Sequence, residues 1–135
     1  KPFGFDTSDA AVKKNMKRAG LDYWDKVTII EYENLEEFKS KTKDKKIYLL
    51  STKSKKCYTD VKYEDDAYLV FGPETRGLPE DYILENFENA ARIPMRDIIR
   101  SLNLSNAVAI VAYEAERQLH YKNLLEESSY FDEKL

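Results

Sequence analysis

The spacing of apolar positions changes several times along the chain, and each change marks an element. In TSDAAVKKNMKRAG, Val12, Met16 and Ala19 recur at helical spacing. Thr7, Ser8 or Asp9 can cap that helix and Gly20 can end it. VTIIEY, Val27 to Tyr32, reads as a strand. NLEEFKSKTK reads as a second helix, capped by Asn34, with Leu35 and Phe38 turned inward. KIYLLST, Lys46 to Thr52, is a continuous apolar run, as expected of a strand covered on both faces. KSKKCYTDVKYEDD is a polar connection with room for a short helix or turn, and AYLVFG is another buried strand.

Pro79 suits the first turn of a helix running through Tyr82, Ile83 and Phe87. ARIPM predicts a short strand and RDIIRSLN an irregular stretch. LSNAVAIVAYEAERQLHY predicts the longest helix, with Leu104, Ala107, Val108, Val111, Ala115 and Leu119 on one stripe. Strands alternating with helices give an α/β domain with a mostly parallel sheet flanked by helices. Ligands of such sheets bind beyond the carboxyl ends of strands. That rule singles out Leu50 to Lys53, Gly72 to Gly77 and Ile93 to Ser105.

Composition narrows the class. The 135 residues suit one domain, 1–135, large enough for a core without disulfides or metal. Lys plus Arg number 22 against 25 Asp plus Glu, so a nucleic-acid contact needs a local basic patch. Arg76, Arg96 and Arg100, with Lys53, Lys55 and Lys56, supply one if the strand ends converge; singly, each reads as solvated surface charge. The single Cys57 excludes an internal disulfide and points to a reduced, cytoplasmic setting. No apolar run is long enough to span a membrane. Nothing has the spacing of a metal site, and no P-loop or dinucleotide fingerprint occurs. His120, the only histidine, lies near a helix end and is a weak candidate for catalysis.

FGPETRGLP, Phe71 to Pro79, holds two of the four glycines and two of the four prolines. Glycine lets backbone approach a ligand or reach positive φ, and proline stiffens the loop. An ordinary long turn explains the same residues equally well. In IPMRDIIRSLNLSNA, Ser101, Asn103, Ser105 and Asn106 cluster at a helix start, as caps or as partners for polar ligand groups.

FGPETRGLP, followed by IPM and then SLNLSNAVAIVAYEAERQL, resembles the second and third signature motifs of the SPOUT methyltransferases. The NLSNA form, with PFGF and KRAGLDYW upstream, is most similar to the TrmL-type tRNA 2′-O-methyltransferases, over residues 1 to about 120. The resemblance implies a SPOUT-type α/β fold with a C-terminal trefoil knot. It implies S-adenosylmethionine as cofactor, the wobble ribose of leucine tRNAs as substrate, and a homodimer. Carried onto this chain, it puts Leu50, Gly72, Ile93 and Ser101 in the cofactor pocket. Thr52, Glu74, Met95, Leu102 and Asn106 support them, and Arg76, Arg96 and Arg100 face RNA. Ala109, Ala112 and Tyr113, on the outer face of the last helix, suit the dimer interface. The family's opening strand and its PxNxGNxxR-like motif have no counterpart here, so the arginine expected to activate the ribose hydroxyl is not assigned. The alternatives are another RNA 2′-O-methyltransferase of this superfamily, a non-catalytic cofactor- or RNA-binding module, and a generic α/β domain with GPETRG as a phosphate loop.

Overall fold

The computed structural model describes residues 27–73, 76–97 and 102–133. The helix expected between Thr7 and Gly20 lies outside them. The chain divides into two compact units, residues 1–46 and 47–135.

In the first unit, helix α1 (Leu35–Lys41) starts where predicted, because Asn34 Oδ1 accepts the Glu37 amide at 2.9 Å. Glu36 and Glu37 lie in its first turn and Lys39 and Lys41 in its last, matching the helix dipole at both ends. The Tyr32 ring meets Phe38 edge-on at 5.2 Å. The strand expected from Val27 to Tyr32 is not formed: among the described residues the segment makes no ladder, and Thr28, Ile30 and Glu31 stand exposed. β-branched residues favour extended backbone, but a strand needs a paired neighbour as well.

The second unit is built on four parallel strands: β1 (Ile47–Leu50), β2 (Lys56–Cys57), β3 (Tyr68–Phe71) and β4 (Ala90–Arg92), in the order β2-β4-β1-β3. Tyr48, Leu49 and Leu50 of the central strand are all buried, which explains a run without alternation. Helix α2 spans Glu80–Glu85 and helix α3 Leu104–Gln118. Pro79 is the N-cap of α2 rather than its first residue. Phe87 falls outside α2, in a 3₁₀ turn of Phe87–Asn89. The polar connection after β1 holds the two-residue strand β2 and a 3₁₀ turn, Tyr58–Asp60. β2 was invisible to periodicity because two residues carry none.

The predicted stripe of α3 is the face it buries: Val111 and Ala115 are buried, and Leu104, Ala107, Val108 and Leu119 are partly so. Val111 and Ala115 join Tyr48, Leu50, Val61, Tyr63, Ala67 and Ala91 in one core. Buried tyrosines need partners for their hydroxyls. Tyr48 donates to the Lys62 carbonyl at 2.9 Å, and Tyr63 to the Tyr58 carbonyl at 2.6 Å. Gln118 then ties α3 to the same crossover. Its Nε2 donates to the Val61 carbonyl at 2.9 Å, and its Oε1 accepts the Tyr63 amide at 3.0 Å. These bonds hold the long connection between β2 and β3 flat against the sheet.

Candidate functional site

Register fixes what meets at the carboxyl edge of the sheet. Leu50 of β1 pairs with Phe71 of β3 on one side and with Ala91 of β4 on the other. Gly72 follows Phe71 directly, and Ile93 follows β4, so the three segments singled out from sequence leave the sheet side by side. Leu50 is buried, and Gly72, Ile93, Met95 and Leu102 are half-buried. Thr52, Arg76, Arg96 and Asn106 stand exposed at the rim. Glu74, Arg100 and Ser101 lie outside the described residues.

The loop after β3 closes on itself. The Gly77 amide donates to the Pro73 carbonyl at 2.9 Å, and Gly77 has φ +71°. A Cβ on Gly72 would stand 2.4 Å from the Gly77 carbonyl carbon and from the Leu78 nitrogen. Gly72 is therefore required by close backbone approach, and Gly77 by a left-handed turn. The Gly77 amide is already engaged, which weakens the phosphate-loop reading of GPETRG.

The loop after β1, residues 51–55, is held differently. Its backbone returns to the sheet through the Ser51 amide, which donates to the Ala91 carbonyl at 2.9 Å. Arg92 of β4 donates from Nη1 to the Thr52 carbonyl at 3.0 Å. Lys53 Nζ lies 3.0 Å from Glu80 Oε1, at the first residue of α2. Ser54 is 5% exposed, and among the described residues its hydroxyl has no hydrogen-bond partner. Lys56 donates to the Glu88 carbonyl at 2.7 Å. Of the basic rim read from sequence, Lys53 and Lys56 thus serve the fold, while Arg76 and Arg96 face solvent.

At the start of α3, Asn103 Oδ1 accepts from the Ser105 amide at 3.0 Å and from its hydroxyl at 2.6 Å. Two of the four polar residues in that cluster are therefore a cap, and Asn106 remains exposed in the first turn. His120 lies just beyond the other end of α3. At about 1.5 Å of rise per residue it is roughly 20 Å from Asn106, which takes it out of this site within one chain. Cys57 Sγ contacts Thr59 Oγ1 at 3.2 Å. Among the described residues no group of His, Cys, Asp or Glu has the arrangement of a metal site, and no helix is long and apolar enough to cross a membrane.

Two charged residues in the last turns of α3 are paired with each other. Arg117 holds Glu114 through Nε at 2.9 Å and Nη2 at 3.0 Å. That bidentate contact keeps the Glu114 carboxyl below the ordinary carboxylate range. Burial and the nearby Glu114 carboxylate push the Tyr63 phenol well above its usual range, which leaves it a neutral hydrogen-bond donor.

Comparison with known proteins agrees with this geometry. Residues 5–113 match the SpoU rRNA Methylase family. The chain belongs to that family. It is 47% identical over 133 residues to a Listeria monocytogenes (serotype 4b, strain F2365) protein assigned as a tRNA (cytidine(34)-2′-O)-methyltransferase. That alignment covers 96% of this chain and 76% of the relative. A crystal structure from Bacillus anthracis, assigned as an RNA methyltransferase, superposes with a TM-score of 0.75 at 47% identity. It covers 94% of this chain and 80% of that one. A structure that addresses 2-OH methylation of C/U34 on tRNA gives a TM-score of 0.72 at 37% identity, covering 89% and 76%. The SpoU methylase fold is thus the α/β architecture with a parallel sheet expected from the sequence. Arg92, Ser54 and the Lys53–Glu80 pair escaped the sequence reading. The partners of Arg92 and Lys53 lie 40 and 27 residues away in sequence, and no local pattern signals those contacts or the burial of Ser54.

Proposed function

We propose that the protein is an RNA 2′-O-methyltransferase that moves a methyl group from S-adenosylmethionine to the ribose of the wobble nucleotide, position 34, of tRNA, with leucine tRNAs as the substrates. The observation that carries the reading is the convergence of Leu50, Gly72 and Ile93 at one edge of a SpoU-family sheet. The activity assigned to the Listeria relative, across 96% of this chain, supports the tRNA substrate.

The residues present suit a nucleoside with a sulfonium side chain. Leu50, Ile93, Met95 and Leu102 offer a partly buried apolar wall, and the strand ends offer backbone groups. The orphaned Ser54 hydroxyl gives the same loop a buried polar atom to satisfy. Thr52, Glu74, Ser101 and Asn106 are the remaining candidates for cofactor contact. The cofactor supplies a methyl on a good leaving group. The chain's part is to hold that methyl in line with the ribose oxygen and keep water out, and such positioning can contribute on the order of 7–11 kcal/mol. Arg76, Arg96 and Arg100 contact RNA phosphates, a role supported by the exposure of Arg76 and Arg96. The 2′-hydroxyl itself selects RNA over DNA.

The reading extends to one methyltransferase domain over residues 1–135, a trefoil knot, a homodimer and a cytoplasmic setting. The family match supports the single domain by running across the boundary at residue 46. Exposed Ile110 and Tyr113 on α3 support the dimer. The test is calorimetric titration with S-adenosylhomocysteine, followed by methyl transfer to leucine tRNA transcripts with ribose or 2′-deoxyribose at position 34. Binding near one per subunit, and transfer only to the ribose transcript, is expected. Equal transfer to both transcripts would overturn the position, and a folded chain that binds no S-adenosylhomocysteine would overturn the cofactor.

A further inference from the structure

Five residues, 51–55, join β1 to β2, although β4 lies between those two strands. Ala91 of β4 has Leu50 on one side and Lys56 on the other. The loop therefore bridges two strand spacings, roughly 10 Å, across the face of a strand that comes much later in sequence. Its backbone carries Thr52 at the rim and Ser54 inside. It has one amide bond to β4, from Ser51, and one side-chain bond from β4, donated by Arg92. Among the described residues the loop is also turned on itself, the Lys53 amide donating to Ser51 Oγ at 3.1 Å and the Ser54 amide to the Ser51 carbonyl at 3.1 Å, and it is tied outward by Lys53 to Glu80, a pair exposed on both sides. An exposed pair orders a loop weakly. The Arg92 bond is exposed as well, but it is a charge-assisted bond of fixed geometry that ties the loop to a strand of the sheet.

We propose that Arg92 is a positioning residue for the cofactor: by holding the Thr52 carbonyl it sets the conformation of the 51–55 loop, and through it the placement of Thr52 and Ser54 beside Leu50. This rests on the reading of the strand-end crevice as the cofactor site. Arg92 need not touch the cofactor. The bond to Thr52 joins the strand that leads into Ile93 with the loop that follows Leu50. It makes two of the three converging segments one rigid edge, and the cofactor then has less conformational freedom to remove on binding.

The full chain, Arg92→Met and Arg92→Lys are compared by amide hydrogen exchange and by calorimetry with two probes, S-adenosylhomocysteine and 5′-methylthioadenosine, which lacks the amino-acid group. Methionine keeps an apolar stem without the donor, and lysine keeps one cationic donor. In Arg92→Met, without ligand, the amides of Ser51 to Ser54 are expected to exchange faster by about tenfold, as for loss of one charge-assisted bond. Its affinity is expected to fall by about tenfold for both probes alike, with Arg92→Lys within about threefold of the parent. Exchange unchanged in Arg92→Met would overturn the proposal whatever the ligand result. Loss confined to S-adenosylhomocysteine would overturn it as well, by revealing direct contact with the cofactor carboxylate. If the parent chain binds neither probe, the cofactor reading falls, and the exchange rates alone decide whether Arg92 holds the loop.

Discussion

The two loops beside β1 reach order by opposite means. The loop after β3 is shaped by groups it lacks: Gly72 has no side chain where the Gly77 and Leu78 backbone passes, and Gly77 accepts a positive φ. The loop after β1 is shaped by groups it receives, from Arg92 on β4 and Glu80 on α2. The first kind of order is local and unforgiving, because backbone cannot move aside. The second is distributed, and each contact can be weakened without a clash.

That contrast fixes the expected order of damage. Gly72→Ala drives a methyl into backbone at 2.4 Å, and a loss of about 3 kcal/mol in denaturant unfolding is expected, with cofactor affinity lost as well. A loss below about 1 kcal/mol would show that the β3 loop yields as readily as the other. Gly77→Ala meets nothing within 4 Å, so only its φ of +71° counts, at about 1 kcal/mol. A melting point equal to the parent's would remove the left-handed turn from the account.

Lys53→Ala tests the other loop at its weakest tie. Its partner Glu80 is exposed, so a change of a few tenths of a kcal/mol in stability is expected, vanishing in high salt. A larger loss would place this pair beside the glycines in importance. The smallest effect lies outside both loops. Arg117 lowers the folded-state pKa of Glu114, so the associated stability is present above the ordinary carboxylate pKa and fades as pH falls through the lowered one. Glu114→Gln should lower the melting point slightly at neutral pH and meet the parent's profile in acid, where the parent's carboxyl is protonated and its advantage has gone. A parent profile already flat through that range would show that the contact has no linkage to folding.

The same contrast explains what could be read from sequence. The central strand β1 and the stripe of α3 announce themselves through composition and period, and β3 was legible as a strand although it lies at the sheet edge half-buried, where a buried strand was expected. FGPETRGLP was legible because glycine and proline are rare here and speak about their own backbone. Arg92 looked like an ordinary strand residue, since the carbonyl it holds belongs to Thr52. Ser54 looked like a turn residue, since its burial is decided by elements distant in sequence. The strand expected at Val27 to Tyr32 failed for a related reason: extended propensity is a property of residues, and pairing is a property of neighbours.

The place of β4 between β1 and β2 also has a consequence for how the chain is made. Residues 47–57 leave the ribosome well before residues 90–92. In that interval β3 can line one side of β1, while the other side keeps a vacant slot of unpaired amides and carbonyls. Such a slot invites strands from other chains. The protein is therefore most exposed to aggregation as a nascent chain that stops between Phe71 and Ala90. A chaperone that covers that edge will change the yield of folded protein more than its final stability.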